Sequence, residues 1–239
     1  MGGVGPASAP LFAPQELRRF LVGFIGLTML SGMTIGMNKV LATMFGLHLG
    51  VTNFQLALIS SAETAAMAIG TLPAGRILAR GNPKFLYAAI SLTLSGLFCI
   101  LPWLPGWQWV AALMFLVGLC IALRIVAMST VFLVRLPELG QGKAGWYKGT
   151  LMLGIQFAGP LTGNYVIAHL GLTGGFYISA LMFAILAVLG WQVLPDHTGH
   201  RTQGKEADAS GWRELLRLPV VRTTYLFEVL ASFTASSVG

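Results

Sequence analysis

Charged side chains are scarce in this sequence. Only 10% of its 239 residues are Asp, Glu, Lys or Arg, whereas 55% are hydrophobic and the mean hydropathy is +0.75. A soluble globular domain keeps about a quarter of its residues charged, so this composition excludes an ordinary water-soluble fold. It predicts a chain whose surface contacts lipid.

Motifs for several chemistries are also absent. The sequence has no glycine-rich phosphate-binding loop, no His/Glu metal motif and no nucleophile triad pattern. Its two cysteines, Cys99 and Cys120, fall at different depths of different predicted helices, so we expect neither a disulfide nor a metal pair. Residues 1–15 lack the basic stretch and short apolar core of a signal peptide. We predict that the chain is not an enzyme and binds no cofactor or metal ion.

Long apolar runs dominate what is present. A helix that crosses about 30 Å of hydrocarbon at about 1.5 Å per residue needs about 20 residues. Runs of this length predict an all-α integral membrane protein with a bundle of six complete spans and a truncated seventh. The six predicted spans are 20–47, 54–78, 85–104, 109–134, 151–170 and 174–194, and the seventh is 223–239.

The distribution of basic residues predicts the orientation. All but two of the 15 lysines and arginines lie before the first predicted span or in every second loop, and the intervening loops have none. Basic loops stay in the cytoplasm, so we expect a cytoplasmic N-terminus in an inner or plasma membrane. Trp103, Trp107 and Trp109 would then lie at the outer interface. The net charge of +7 therefore reflects topology, and we expect no nucleic acid partner.

The predicted organisation has four parts. These are a cytoplasmic tail at 1–16, the six-helix bundle at 17–195, a central cytoplasmic loop at 196–222 and the start of the seventh span at 223–239. Residues 196–212 are polar and contain Gly and Ser, as in a flexible linker. Because the seventh span has no partner after it, we expect a fragment that lacks its C-terminal half. The alternative is a half-size protein that pairs with a second copy.

The stretch "GRILARGNPK", residues 75–84, falls at the predicted cytoplasmic turn between the second and third spans. It resembles the loop signature of the major facilitator superfamily. The signature positions here are Gly75, Arg76, Arg80 and Lys84. Ala79 stands where the family has Asp, so the resemblance does not extend to the charge contact by which that Asp latches the two halves. An ordinary basic turn without a gating role remains the alternative.

The stretch "GIQFAGPLTGN", residues 154–164, resembles the Gly-Pro signature that many members carry in the fifth helix. Small residues let membrane helices pack closely, and proline frees a backbone carbonyl and permits a bend. We assign packing and bending to Gly154, Gly159, Pro160 and Gly163. Gly and Pro are common in membrane helices generally, so a purely structural role is the alternative. Both resemblances imply the N-terminal half of a twelve-helix carrier.

Polar and ionisable side chains inside the predicted spans are the candidate pathway residues. An ionisable group at membrane depth costs about 2.5–3.5 kcal/mol, so it faces a cavity or a partner. Lys39 and Glu63 lie equally far from the turn near Val51, which predicts an ion pair, whereas Arg124 lies about 10 Å deeper. Structural roles, including a Lys39 that reaches out to water, stay open. The candidates are Asn38, Lys39, Glu63, Arg124, Gln156 and Glu228.

The resemblance implies a secondary transporter that moves a small-molecule solute by alternating access. We expect coupling to an ion gradient through Glu63, with protons as the candidate ion. The expected partners are the lipid bilayer, the solute and a second six-helix half or copy. The alternative is a non-transporting membrane subunit or a membrane enzyme, which would need a catalytic cluster at one membrane face.

Overall fold

The computed structural model describes residues 14–139 and 141–194, and every regular element in these ranges is helical. The described part contains no strand, so the all-α class is confirmed. Residues 1–13 of the predicted tail at 1–16, the central loop at 196–222, the seventh span and Glu228 lie outside the described residues. The helices are α1 (Pro14–His48), α2 (Asn53–Arg80), α3 (Pro83–Ile100), α4 (Trp107–Leu139), α5 (Ala144–Leu153) and α6 (Gly159–Val193).

Short non-α turns connect some of these helices. Leu101–Trp103 and Gln141–Lys143 are 3-10 turns, and a π-helical turn at Gly154–Ala158 joins α5 directly to α6. The chain therefore runs from α5 through the π turn into the first part of α6 without a break in the helix. The predicted fifth and sixth spans fall within α5, the π turn and α6.

Four stretches of the described residues are long and apolar enough to cross a membrane. Helix α2 is not among them. The predicted count of six spans is therefore confirmed in part. The four stretches are Arg18–His48, Pro83–Trp103, Trp107–Leu136 and Gly145–Val193.

The last of these stretches divides at Gly171. Its 49 residues would extend about 74 Å as one helix, more than twice the hydrocarbon thickness of about 30 Å. Gly171 has φ 71° and ψ 177°, a conformation that is essentially restricted to glycine. The break comes directly after the predicted fifth span, which ends at residue 170.

Contacts with α1 show that the chain reverses direction at this break. Before it, Gly32 lies against Leu151 and Val40 against Gly163, so the two segments run parallel. After it, Phe45 packs edge-on against Phe176, and Gly23 lies against Val193, so the segments run antiparallel. Residues 144–170 and 172–193 are therefore two helical segments that cross the bundle in opposite directions.

The helices pack as a bundle with a mainly apolar interior. Helix α2 packs chiefly along α4, α1 packs along α6 and α5, and α3 packs between α4 and α6, whereas α1 and α2 touch only lightly. Aromatic rings fill the interior where these helices meet. One group consists of Phe24, Phe132 and Tyr147, and another consists of Phe98, Phe176 and Phe183.

The two ends of the bundle differ in chemistry. The end formed by the start of α1, the end of α2 and the end of α4 carries the basic residues, and we call it the basic end. The opposite end, called here the tryptophan end, carries Trp103 and Trp109, whose rings are exposed. Aromatic residues of this kind concentrate where hydrocarbon meets headgroups. The described basic residues at the basic end are Arg18, Arg19, Arg76, Arg80, Lys84, Arg135, Lys143 and Lys148.

The predicted turn at residues 75–84 is mostly helical. Helix α2 continues through Arg80, and only Gly81 and Asn82 connect it to α3. The Asn82 side chain accepts a hydrogen bond from the Lys84 backbone N–H at 3.0 Å, and Pro83 occupies the first helical position. An N-cap followed by proline starts a helix sharply, so this boundary needs no longer loop. The predicted spans leave residues 79–84 for this turn, so the observed turn is shorter than predicted.

Candidate functional site

A stripe of buried polar side chains runs along one face of α1. Thr28, Ser31, Thr34 and Asn38 are all buried, and they recur at intervals of three or four residues. That spacing places them on one side of a helix. Of the four, sequence reasoning had singled out Asn38 alone, although the spacing was visible in the sequence.

Arg124 of α4 lies against this stripe and has no exposed surface, with a relative accessibility of 0%. Its Nη2 donates a hydrogen bond of 2.7 Å to Ser31 Oγ and lies 3.5 Å from both the Ser31 carbonyl oxygen and Thr34 Oγ1. Its Cζ lies 5.0 Å from the ring centroid of Phe183 and 5.7 Å from that of Tyr87. The guanidinium therefore joins helices α1, α3, α4 and α6.

The hydrogen bonding of Arg124 is incomplete. Nε and Nη1 are buried and have no hydrogen-bond partner among the described residues. A guanidinium remains charged in proteins, and a buried charge is stable only when it is paired and hydrogen-bonded. We call the group formed by Ser31, Thr34, Tyr87, Arg124 and Phe183 the Arg124 site. Its charge is positive and not balanced within the group.

Glu63 of α2 is the second buried ionisable group. It is 4% exposed, and its Oε1 has no hydrogen-bond partner in the described part of the chain. Lys39 attracts it electrostatically, but the two form no ion pair, so the predicted contact was wrong. Helices α1 and α2 touch only lightly, and the Lys39 side chain is exposed whereas Glu63 is buried. Neighbouring Asn38 is buried with both amide atoms unpartnered.

The two buried charges lie at different depths. Gly118 of α4 packs directly against the Glu63 backbone, so a Cβ at Gly118 would collide with the Glu63 carbonyl oxygen. Arg124 lies six residues further along α4 toward the basic end, a rise of about 9 Å. This separation agrees with the predicted depth difference. The Glu63 carboxylate, called here the Glu63 site, is therefore separate from the Arg124 site.

Glycines bring α1 and residues 144–170, called here the fifth-helix segment, into backbone contact. A Cβ at Gly159 would lie 2.6 Å from Gly36 Cα, and one at Gly154 would lie 2.8 Å from the Met29 carbonyl oxygen. Real Cβ atoms do not approach so closely, so side chains larger than hydrogen do not fit. Gly163 is also buried and faces Met37.

The π turn lies at the centre of this contact. The Gly159 N–H donates to the Gly154 carbonyl oxygen, five residues back, and the next residue is Pro160, which has no N–H. A π turn widens the helix locally and recurs at functional sites. The Gln156 side chain within it is exposed.

The loop-signature residues lie at the basic end, apart from both polar sites. Gly75 and Arg76 are exposed residues of α2, and Arg80 is its last residue. The Lys84 ammonium lies 4.7 Å from the centroid of the Trp191 ring. Arg135 lies 4.2 Å from the Phe20 ring centroid in a similar way. Each of these cation–π contacts links the ends of two helices at the basic end of the bundle.

These observations define a helical integral membrane protein with charged and polar groups in its interior. The family model of the Major Facilitator Superfamily matches residues 24–239, and the chain belongs to this family of membrane transporters. The resemblance inferred from the two signatures is thereby confirmed. No curated protein and no solved structure matches the chain.

Proposed function

We propose that the chain forms one side of the pathway of a secondary transporter, which moves a small solute by alternating access with proton coupling at Glu63. The observation that carries this proposal is the buried carboxylate itself. Glu63 has an oxygen without a partner in the interior of the helical bundle, and buried ionisable groups of membrane proteins mark substrate or proton pathways. Membership of a transporter family supports the same assignment.

The second side of the pathway is a further six-helix unit, either a C-terminal half or a second copy. Gln156 and Asn164 support this part of the proposal, because both are exposed on the same helical segment. Exposed amides are poorly suited to lipid contact, since hydrocarbon offers them no hydrogen bonds. Carriers bind their substrate between two repeats and rock one against the other. These amides would face the other unit.

The contact between α1 and the fifth-helix segment is the proposed moving joint. Glycine surfaces allow backbones to slide without side-chain interlocking, and Pro160 removes one backbone hydrogen bond from the segment. The positions that form the joint are Gly36, Gly154, Gly159 and Pro160. In the proposed orientation, the basic end of the bundle faces the cytoplasm of a cell bounded by an inner or plasma membrane.

Proteoliposomes with an imposed proton gradient test this function. The chain is reconstituted with a second six-helix half, and the lumen is analysed for accumulation from a mixed panel of small solutes. Glu63→Gln should abolish accumulation but retain solute exchange at equal concentrations, because a neutral amide cannot carry the proton. Glu63→Asp is the matched control and should retain both activities. Accumulation by Glu63→Gln at the native rate would refute coupling at Glu63.

A further inference from the structure

We propose that the Arg124 site binds a small anion. The ligand is either a carboxylate group of the transported solute or an inorganic anion such as chloride that stays with the protein. The solute alternative rests on the proposed transport function, whereas anion binding itself does not. The proposal starts from one observation, a guanidinium that is entirely buried and only partly hydrogen-bonded.

The polar groups around Arg124 are rich in unused donors. Nε and Nη1 of Arg124 point to no acceptor in the described chain. Ser31 Oγ accepts the bond from Nη2, so its own proton is available for donation. The Tyr87 hydroxyl approaches the Ser31 side chain without forming a hydrogen bond of good geometry. A cluster of N–H and O–H donors that surround a fixed positive charge is chemically an anion site.

Further donors lie one helical turn away toward the tryptophan end. Ser91 follows Tyr87 by four residues on α3, and Ser179 precedes Phe183 by four on α6, so each lies on the same helix face as its neighbour. Both hydroxyls are buried without partners among the described residues. No carboxylate of the described side chains contacts this group. The unused donors therefore extend from Arg124 toward the tryptophan end of the bundle interior.

The protein's own contacts leave the charge without a counter-ion. The faces of Phe183 and Tyr87 attract the guanidinium, and Ser31 accepts one hydrogen bond from it. Neither kind of contact supplies a negative charge or an acceptor for Nε and Nη1. Glu63 is about 9 Å away along the bundle axis, too far for an ion pair with Arg124. An anion within hydrogen-bond distance would supply the missing charge.

The surroundings restrict the size of this ligand. Helices α1, α3, α4 and α6 enclose the guanidinium on all sides. Protein interiors are packed closely, so a bulky group would have to displace aromatic rings. Chloride, formate and acetate-sized carboxylates fit this constraint better than large organic anions. The probes should therefore be small.

Equilibrium dialysis of the purified full chain with radiolabelled formate or chloride tests the proposal at constant ionic strength, balanced with gluconate. We expect saturable binding of at least one of the two probes, at about one anion per chain. Thermal unfolding in the same salts should show a Tm that rises with the bound anion and saturates. Binding that does not saturate, or a Tm that depends only on ionic strength, would overturn the proposal.

Variants test whether the anion binds at Arg124. Arg124→Lys keeps the charge but removes the planar donor fork, and Tyr87→Phe removes one hydroxyl while keeping the ring. We expect affinity to fall at least tenfold in the first and severalfold in the second. Arg135→Lys is the matched control, because Arg135 is an arginine of the same helix that also lies over an aromatic ring. Equal affinity in the native chain, Arg124→Lys and Tyr87→Phe would contradict the assignment.

Circular dichroism and size-exclusion profiles establish that each variant is folded before binding is compared. If Arg124→Lys does not fold, Tyr87→Phe and Ser31→Ala decide the assignment, since both leave the guanidinium in place. Formate binding that is much tighter than chloride binding indicates a solute carboxylate, and the reverse indicates a resident inorganic anion. Dialysis requires no transport, so a failure of anion binding is distinguishable from a failure of the transport function.

Discussion

Arg124 and Ser31 are buried in direct contact, and their hydrogen bond links α1 to α4 at this depth. Both residues are fully buried, and the Nη2 to Oγ distance is 2.7 Å. Hydrogen bonds to charged groups contribute about 1.5–3 kcal/mol, and loss of one partner leaves the other unsatisfied. Arg124 already has two nitrogens without partners. Loss of Ser31 Oγ would leave Nη2 with only its two contacts of 3.5 Å, to the Ser31 carbonyl oxygen and to Thr34 Oγ1.

Ser31→Ala is expected to lower the free energy of unfolding by about 1.5–3 kcal/mol, because it removes this acceptor. Thr28→Val is the matched control on the same buried stripe. It loses only the bond of Thr28 Oγ1 to the Phe24 carbonyl oxygen within α1, so we expect a cost of about 1 kcal/mol or less. Thermal unfolding of both variants in detergent measures the difference. Equal costs would mean that the Arg124 contact adds no stability.

The positions of individual side chains show which parts of the site could be predicted from the sequence. Depth along a helix follows from residue count, so the separation of Glu63 and Arg124 was predicted correctly. The direction in which a side chain points depends on helix rotation, and the Lys39–Glu63 ion pair was wrong for that reason. Tyr87 and Phe183 approach Arg124 only through the packing of α3 and α6, which residue spacing in the sequence does not reveal.

At the scale of elements, the contact between α1 and the fifth-helix segment depends on the absence of side chains. Gly36 lies so close to Ile155 that a Cβ would collide with the Ile155 carbonyl oxygen. Backbone atoms of a helix cannot move aside as the end of a flexible side chain can. A larger residue at position 36 would therefore require the two helices to shift as a pair.

Gly36→Ala should lower the free energy of unfolding by about 1–3 kcal/mol, the usual cost of overpacking. Gly26→Ala in the same helix is the control, because nothing lies within 4 Å of a Cβ at that position. Alanine is the better helix former by about 0.8–1.0 kcal/mol, so Gly26→Ala should be neutral or stabilising. Thermal unfolding of the two variants checks the opposite signs. A stabilised Gly36→Ala would contradict the close backbone contact.

A second prediction at the scale of elements concerns the break at Gly171. A Cβ at Gly171 would meet nothing within 4 Å, but its φ of 71° is unfavourable for any other residue. Gly171→Ala should therefore cost about 1–3 kcal/mol through backbone strain alone. Gly149→Ala, in open space within α5, is the control and should not destabilise. If Gly171→Ala is as stable as Gly149→Ala, the reversal does not require this backbone conformation.

Hydropathy predicted where helices cross lipid better than where they end. Helix α4 was expected to stop at residue 134 but continues to Leu139, and α2 continues to Arg80. An apolar run ends where the lipid ends, whereas a helix continues into the polar interface until a cap or proline stops it. Asn82 and Pro83 supply such a stop. The predicted turn at this position was longer than the observed one.

At the scale of the molecule, the orientation of the bundle is the first property to test. We predict that the basic end is cytoplasmic and the tryptophan end external. Asn82→Cys and Gln108→Cys, each in a background with Cys99 and Cys120 replaced by Ser, place one thiol at each end. A membrane-impermeant maleimide should label position 108 in intact cells and position 82 only after lysis. Strong labelling of position 82 in intact cells would reverse the orientation.

Solute accumulation in proteoliposomes with an imposed proton gradient shows whether these helices form one side of a carrier. It compares the 239-residue chain alone with the same chain and a separately made second six-helix half. Because the substrate lies between two units, we predict gradient-dependent accumulation with the second half and none by the monomeric chain alone. Equal accumulation by the monomeric chain, or none in either preparation, would contradict the claim that these helices form one side of a carrier.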